Sequence, residues 1–200
     1  MTRPDWTIEL EAFDSGFGTV CGVDESGRGP LAGPVCAAAV ILPRGAEIDG
    51  LNDSKKLTEK RREALYDVII ERAEHYGVAF ADVEEIERLN ILGATYIAMN
   101  RAIAALGVDV DLALIDGNRC EGIEHPCRTV VKGDSKSMSI AAASVIAKVT
   151  RDRYMRSLAE NYPGYGFEKH KGYGTQAHYD AIRALGPCPE HRMSFLRKMH

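Results

Sequence analysis

Thr19-Val20-Cys21-Gly22-Val23-Asp24-Glu25-Ser26-Gly27-Arg28-Gly29-Pro30-Leu31-Ala32-Gly33-Pro34-Val35-Cys36-Ala37-Ala38-Ala39-Val40-Ile41-Leu42 sets two apolar runs on either side of a stretch dense in turn formers. Thr19 to Val23 and Val35 to Leu42 draw on Val, Ile, Ala and Cys, the pattern of buried strands. Gly27 to Pro34 holds three glycines and two prolines, which suit neither a helix nor a strand interior. The stretch predicts two strands joined by a structured loop, with Asp24 and Glu25 where the first strand runs out. A carboxylate in that place is costly to bury unless it has a partner.

Downstream, Leu57, Ala64, Leu65, Val68, Ile69 and Tyr76 recur at helical spacings with charges between them, predicting an amphipathic helix. Gly77 to Ala81 reads as a third strand. Asp82 and Glu85 resemble a capping box that opens a short helix towards Leu89, and Gly93 to Leu106 continues as another. Asp111 to Ile115 is a fourth strand ending at Asp116-Gly117-Asn118, and Thr129 to Val131 a fifth ending at Gly133-Asp134. Ser135 to about Leu158 is helical in pattern and Ala-rich, with Lys148, Arg151, Arg153 and Arg156 in its second half. Two short helical segments follow, Gln176 to Leu185 and His191 to Lys198. This order predicts an α/β fold: residues 1–160 form a mixed β-sheet flanked by helices, and residues 161–200 a small helical C-terminal lobe.

Asp24, Glu25, Asp116 and Asp134 all fall at strand ends, so four carboxylates converge at one edge of the sheet. Any one alone reads as an ordinary turn residue. Four clustered like charges raise one another's pKa, and a hard divalent cation, Mg²⁺ or Mn²⁺, compensates them through oxygen ligands. No Cys/His spacing offers a zinc site. Gly27-Arg28-Gly29 fails as a dinucleotide fingerprint, because the third glycine comes one place late and a strand follows where a helix is required. No phosphate-loop motif occurs, so no nucleotide cofactor is indicated. These glycines instead let backbone amides approach a ligand closely, with Arg28 near a phosphate. Tyr173, in Lys171-Gly172-Tyr173-Gly174-Thr175, is placed to stack on a sugar or base, although a buried tyrosine is the commoner case. His170, His178 and His191 read as packing residues or phosphate contacts.

The 200 residues carry a net charge of −4, against indiscriminate coating of nucleic acid. The charge is unevenly spread, however: residues 1–127 hold 12 Lys and Arg against 23 Asp and Glu, and residues 128–200 hold 13 against 6. An acidic half followed by a basic half suits metal binding by one and phosphodiester binding by the other, and equally suits ordinary scatter. The longest apolar runs are too short to span a membrane and no secretory signal stands out. Five cysteines without a C-x-x-C pair suit reduced thiols in a cytoplasm.

Val23 to Val35 resembles the signature of ribonuclease HII, the type 2 ribonuclease H family. Asn52-Asp53-Ser54-Lys55-Lys56-Leu57, Ile115-Asp116-Gly117-Asn118, Lys132-Gly133-Asp134-Ser135, Ala147-Lys148-Val149-Thr150-Arg151-Asp152-Arg153, Lys171-Gly172-Tyr173-Gly174-Thr175 and His191-Arg192-Met193-Ser194-Phe195 resemble its further motifs, in order. The resemblance implies a ribonuclease H-like sheet, with Asp24, Glu25, Asp116 and Asp134 as the catalytic ligands of a two-metal site. It implies that Gly27, Arg28 and Gly29 read a ribonucleotide 2′-hydroxyl and that Tyr173 recognises the RNA-to-DNA junction. The implied partners are RNA/DNA hybrids and ribonucleotide-containing duplex DNA, cut by a monomer. Ser26 stands where valine or alanine is usual, facing away from the acids if the strand alternates. No clamp-binding tail is recognisable after Phe195. A DNA nuclease on a related sheet would share the acids but cut all-DNA substrates; a noncatalytic binding module would have no use for them.

Overall fold

The computed structural model describes residues 3–197, apart from the side chain of Lys56. Five strands form one sheet: β1 (Val20–Ser26), β2 (Val35–Ile41), β3 (His75–Ala81), β4 (Leu112–Asp116) and β5 (Cys127–Val130), in the order β3-β2-β1-β4-β5. β2 is antiparallel to both β1 and β3, whereas β4 runs parallel to β1 and to β5. The sheet is therefore mixed, as the sequence predicts, and the parallel half aims the carboxyl ends of β1, β4 and β5 the same way.

The helices are α1 (Thr7–Asp14), α2 (Glu59–Arg72), α3 (Val83–Ala104), α4 (Met138–Asn161), α5 (Phe167–His170), α6 (Gln176–Leu185) and α7 (Met193–Leu196). On one face of the sheet, Ile86, Ala94, Ala98, Ala102 and Ile103 of α3 pack on Cys21, Val23, Ala37, Ala39 and Ile115. On the other, α4 and α2 bury Ala141, Ala142, Val145, Ile146, Leu65 and Ile69 against Ala38 and Val40. Alanines on both partners keep α4 close to the sheet. The closest approach is at Gly22, where a Cβ would lie 2.2 Å from the Ile140 amide nitrogen. A third cluster joins Leu31 and Ala32 of the glycine loop to Met155, Leu158, Phe167, Ile182 and Leu196, so the C-terminal helices are built onto that loop and the end of α4.

Local chemistry sets the ends of these elements. The capping box forms as expected: Asp82 Oδ1 accepts from the Glu85 amide at 2.8 Å and Glu85 Oε2 from the Asp82 amide at 3.1 Å. The two expected helices over 83–106 are one element broken at Asn90 (φ 60°). The Asn90 side chain accepts from the Leu92 amide and so starts the second half.

Five expectations shift. β1 runs through Asp24 and Glu25 to Ser26, because pairing with β2 continues to Ser26 opposite Cys36. Tyr76 belongs to β3, not to α2; the helical spacing carried over Ala73, where the chain turns extended. Ala64 lies on the exposed side of α2. β5 begins at Cys127 and stops before Val131, which is exposed, since its register follows β4. Of the expected His191–Lys198 segment, α7 covers Met193–Leu196 and Lys198 lies outside the described residues. All five cysteines are free thiols, and no helix among the described residues is long and apolar enough to cross a membrane.

Candidate active site

Asp24, Asp116 and Asp134 each present a carboxylate oxygen, and these lie within 4.8 Å of one another. Three elements deliver them: Asp24 from β1, Asp116 from the last position of β4, and Asp134 from a 3₁₀ turn over Gly133–Ser135 that follows β5. That turn is pinned to β4, because Asp116 Oδ1 accepts from the Gly133 amide at 2.6 Å. Asp24 Oδ1 accepts from the Glu25 amide at 2.7 Å.

Glu25 stands outside this triad. Alternation along β1 sets it on the face opposite Asp24, where its Oε1 lies 3.3 Å from Arg28 Nη1. It still lines the cleft beside Asp24. The same alternation corrects the expectation for Ser26, which shares Asp24's face rather than facing away and also lines the cleft.

Like charge and burial act together here. Burial pushes the Asp24 carboxyl well above the usual range, and the charges of Glu25, Asp116 and Asp134 push the same way. Burial and then Asp116 and Asp53 raise Asp134 to about 6, against the pull of Lys55. Burial works against the charge on Lys55, yet Asp24, Asp134, Asp53 and Asp116 hold its pKa above the ordinary lysine value. Such a cluster of hard oxygen donors fits a divalent cation such as Mg²⁺ or Mn²⁺.

A linkage prediction follows for the metal-free protein. Asp134 titrates near 3.8 when unfolded and about 6 when folded. Its contribution to stability is full below about 4 and lost as pH rises through about 6, a change of at most about 3 kcal/mol. With chelator present, the thermal midpoint is expected to fall between pH 4.5 and 7.5; Asp134→Asn flattens that fall, and Mg²⁺ opposes it by binding the ionised form. An Asp134→Asn curve parallel to that of the parent would show that Asp134 is not the titrating group.

The cleft beside the triad has a volume of about 220 Å³ and is walled by Asp24, Glu25, Gly27 to Gly29, Lys55, Lys148 and Tyr173, among others. The expected recognition residues are thus brought together: a Cβ on Gly29 would lie 3.8 Å from Tyr173 Cε1. The Leu31 amide donates to the Gly172 carbonyl at 2.8 Å, tying the two loops. Gly27 has φ +100°, and a Cβ there would fall 2.0 Å from Arg151 Nε, so only glycine fits.

Sequence reasoning missed what holds this loop. Arg192 and Arg151 are fully buried. Arg192 donates five hydrogen bonds of 2.6–3.0 Å to the carbonyls of Gly27, Arg28, Pro30 and Gly33. Arg151 donates to Pro34, Ala32 and Lys171. The loop's carbonyls turn inward to two guanidinium groups, and among the described residues the amides of Gly27, Arg28 and Gly29 meet no protein acceptor. Arginine is rarely buried, and its partners here are up to 165 residues away in sequence. Lys55, Lys148 and Asp53 were likewise given no role, although Lys148 lines the cleft and is held 2.6 Å from the buried Asp152.

Carboxylates at the carboxyl ends of neighbouring strands in a mixed sheet, beside a glycine loop with free amides, suit a metal-dependent phosphodiester hydrolase. The ribonuclease HII family model matches residues 21–198. Ribonuclease HII of Dechloromonas aromatica is 60% identical over 178 residues, covering 89% of this chain and 91% of that protein. Ribonuclease HII of Cereibacter sphaeroides is 56% identical over 98% of this chain and 92% of its own length. Among solved structures, ribonuclease H2 of Pyrococcus horikoshii superposes with a TM-score of 0.71 at 26% identity, covering 90% of this chain and 96% of that one. The chain belongs to the ribonuclease HII family, which cleaves RNA in RNA/DNA hybrids.

Proposed function

We propose that this chain is a cytoplasmic endoribonuclease that cuts the RNA strand of RNA/DNA hybrids and cuts 5′ of single ribonucleotides in duplex DNA. The products carry 3′-hydroxyl and 5′-phosphate ends. The observation that carries this reading is the juxtaposition, across one cleft, of the aspartate triad and a glycine loop whose amides are free.

Asp24, Asp116 and Asp134, with Glu25 alongside, would hold a pair of Mg²⁺ or Mn²⁺ ions, which when bound would supply an activated water and charge neutralisation at the leaving oxygen. Lys55 and Lys148, which line the same cleft as Asp24 and Glu25, attract the substrate phosphates. Amides of the Gly27–Gly29 loop donate hydrogen bonds to the ribose 2′-hydroxyl oxygen. A site built to bond a hydroxyl rejects the analogue lacking it by about 10⁴–10⁵, which excludes DNA. Tyr173 stacks at the RNA-to-DNA junction, and residues 161–200, which carry it, form the part of the substrate surface beyond the sheet.

The test is cleavage of a DNA duplex with one ribonucleotide, beside an all-DNA duplex and a continuous hybrid, in Mg²⁺ or Mn²⁺. Cutting confined to the ribonucleotide strand, on its 5′ side and only with metal, is expected. Tyr173→Ala is expected to lower cleavage of the single-ribonucleotide duplex more than that of the hybrid. Equal cutting of all-DNA would move the chain to another nuclease specificity.

A further inference from the structure

Behind the Tyr173 loop lies a group of imidazoles that the proposed chemistry does not use. His178 and His191 are buried, and their Nε2 atoms are 3.1 Å apart. His178 Nδ1 is 3.0 Å from the Tyr173 carbonyl oxygen. The Cys188 amide donates to His191 Nδ1 at 2.9 Å.

His191 Nδ1 also lies 3.1 Å from Cys188 Sγ and 3.3 Å from the Cys188 carbonyl, but the shortest contact is the 2.9 Å one from the amide, which orders the protons. A carbonyl only accepts, so His178 carries its hydrogen on Nδ1 and leaves Nε2 bare. His191 must then donate from Nε2, which leaves its Nδ1 bare to accept from Cys188. The result is one directional chain: Cys188 amide to His191, His191 to His178, His178 to the Tyr173 carbonyl. Both rings must be neutral, since a second proton would set two N–H groups against each other. Burial pushes His178 down to about 4 and His191 below its usual value, in keeping with that state.

The chain ends on the backbone of a residue whose ring is exposed at the cleft. The Tyr173 amide donates to the His170 carbonyl at 2.9 Å, and its own carbonyl also accepts from the Thr175 amide at 2.8 Å. Its peptide is thus held at both ends while the ring stays 42% exposed beside Gly29. A histidine pair serving only as core filling would need ring volume and no particular donor.

We infer that His178 and His191 are positioning residues for ribonucleotide recognition, setting Tyr173 through a proton-ordered hydrogen-bond chain. The inference rests on the proposed function. It is tested by the ratio of single-ribonucleotide duplex cleavage to continuous hybrid cleavage, measured well below each variant's thermal midpoint. His178→Phe keeps ring volume and removes the donor, and is expected to lower the ratio about five- to tenfold, the effect of one misplaced hydrogen bond. His178→Asn, whose amide nitrogen takes the place of Nδ1, is expected to stay within about twofold of the parent on the same scale. In a Tyr173→Ala background, His178→Phe is expected to change the ratio no further. If His178→Phe does not fold, His191→Leu cuts the same chain one link earlier and is expected to lower the ratio in the same direction. An unchanged ratio in a folded donor-less variant, or an equal drop in the Tyr173→Ala background, overturns the inference while leaving the nuclease assignment intact. A parent protein that cuts neither substrate overturns the functional reading first.

Discussion

Asp24→Asn is expected to lose about three orders of magnitude or more in single-turnover cleavage while its affinity for RNA/DNA hybrid stays within about threefold. The side chain is buried and accepts the Glu25 amide at 2.7 Å, and asparagine can keep both shape and acceptor. The fold is therefore retained. What is lost is one of three carboxylates whose oxygens lie within 4.8 Å of one another, and with it much of the attraction for a divalent cation, whose catalytic contribution is several kcal/mol. Hybrid binding survives because it draws on Lys55, Lys148 and the loop amides. Removing an anion near the phosphates even favours it slightly. A rate assay paired with a binding titration in chelator decides the matter: cleavage within tenfold of the parent would take Asp24 out of the chemistry.

Arg192→Ala is expected to lower the thermal midpoint by about 6–20 °C, the equivalent of about 3–5 kcal/mol in a chain of this size. The guanidinium is fully buried, has no carboxylate partner among the described residues, and satisfies four carbonyls of the glycine loop. Deleting it strands those acceptors and opens a void against Phe195, over whose ring it lies at 5.2 Å. Arg192→Lys recovers only part of the loss, because three donors on one nitrogen cannot reproduce a planar fork. Stabilisation by Mg²⁺ persists in both variants, since the acids stand on β1, on β4 and in the turn after β5. A drop of less than about 3 °C for Arg192→Ala would mean that the loop holds its shape without the guanidinium.

The strands and the acids at their ends were legible because apolar runs in this chain stop abruptly at Asp24, Asp116 and the turn holding Asp134. The capping box at Asp82 and Glu85 was legible for the same local reason. What escaped was set by distant partners. Whether β1 stops at Val23 or Ser26 depends on β2, and where β5 begins depends on β4. Tyr76 kept helical spacing by coincidence across a turn. Arg151 and Arg192 look like surface residues until the glycine loop folds over them. The histidines admitted packing or phosphate contact, and the structure places His178 and His191 in the interior. Glu25, grouped with the other acids at the end of β1, lies beside the aspartate triad on the wall of the same cleft.

β1 and β4 are joined in parallel with Val23 opposite Ile115, so the next rung brings Asp24 and Asp116 side by side. Their separation is inherited from the interstrand spacing of about 4.8 Å rather than chosen by flexible side chains. Deleting one residue within 20–24 or 112–116 would carry an aspartate to the wrong side of the sheet, whereas the segment between β4 and β5 sets no such register and is held to α3 through Asn100. A change in residue count inside either strand is therefore expected to part the two aspartates and abolish cleavage.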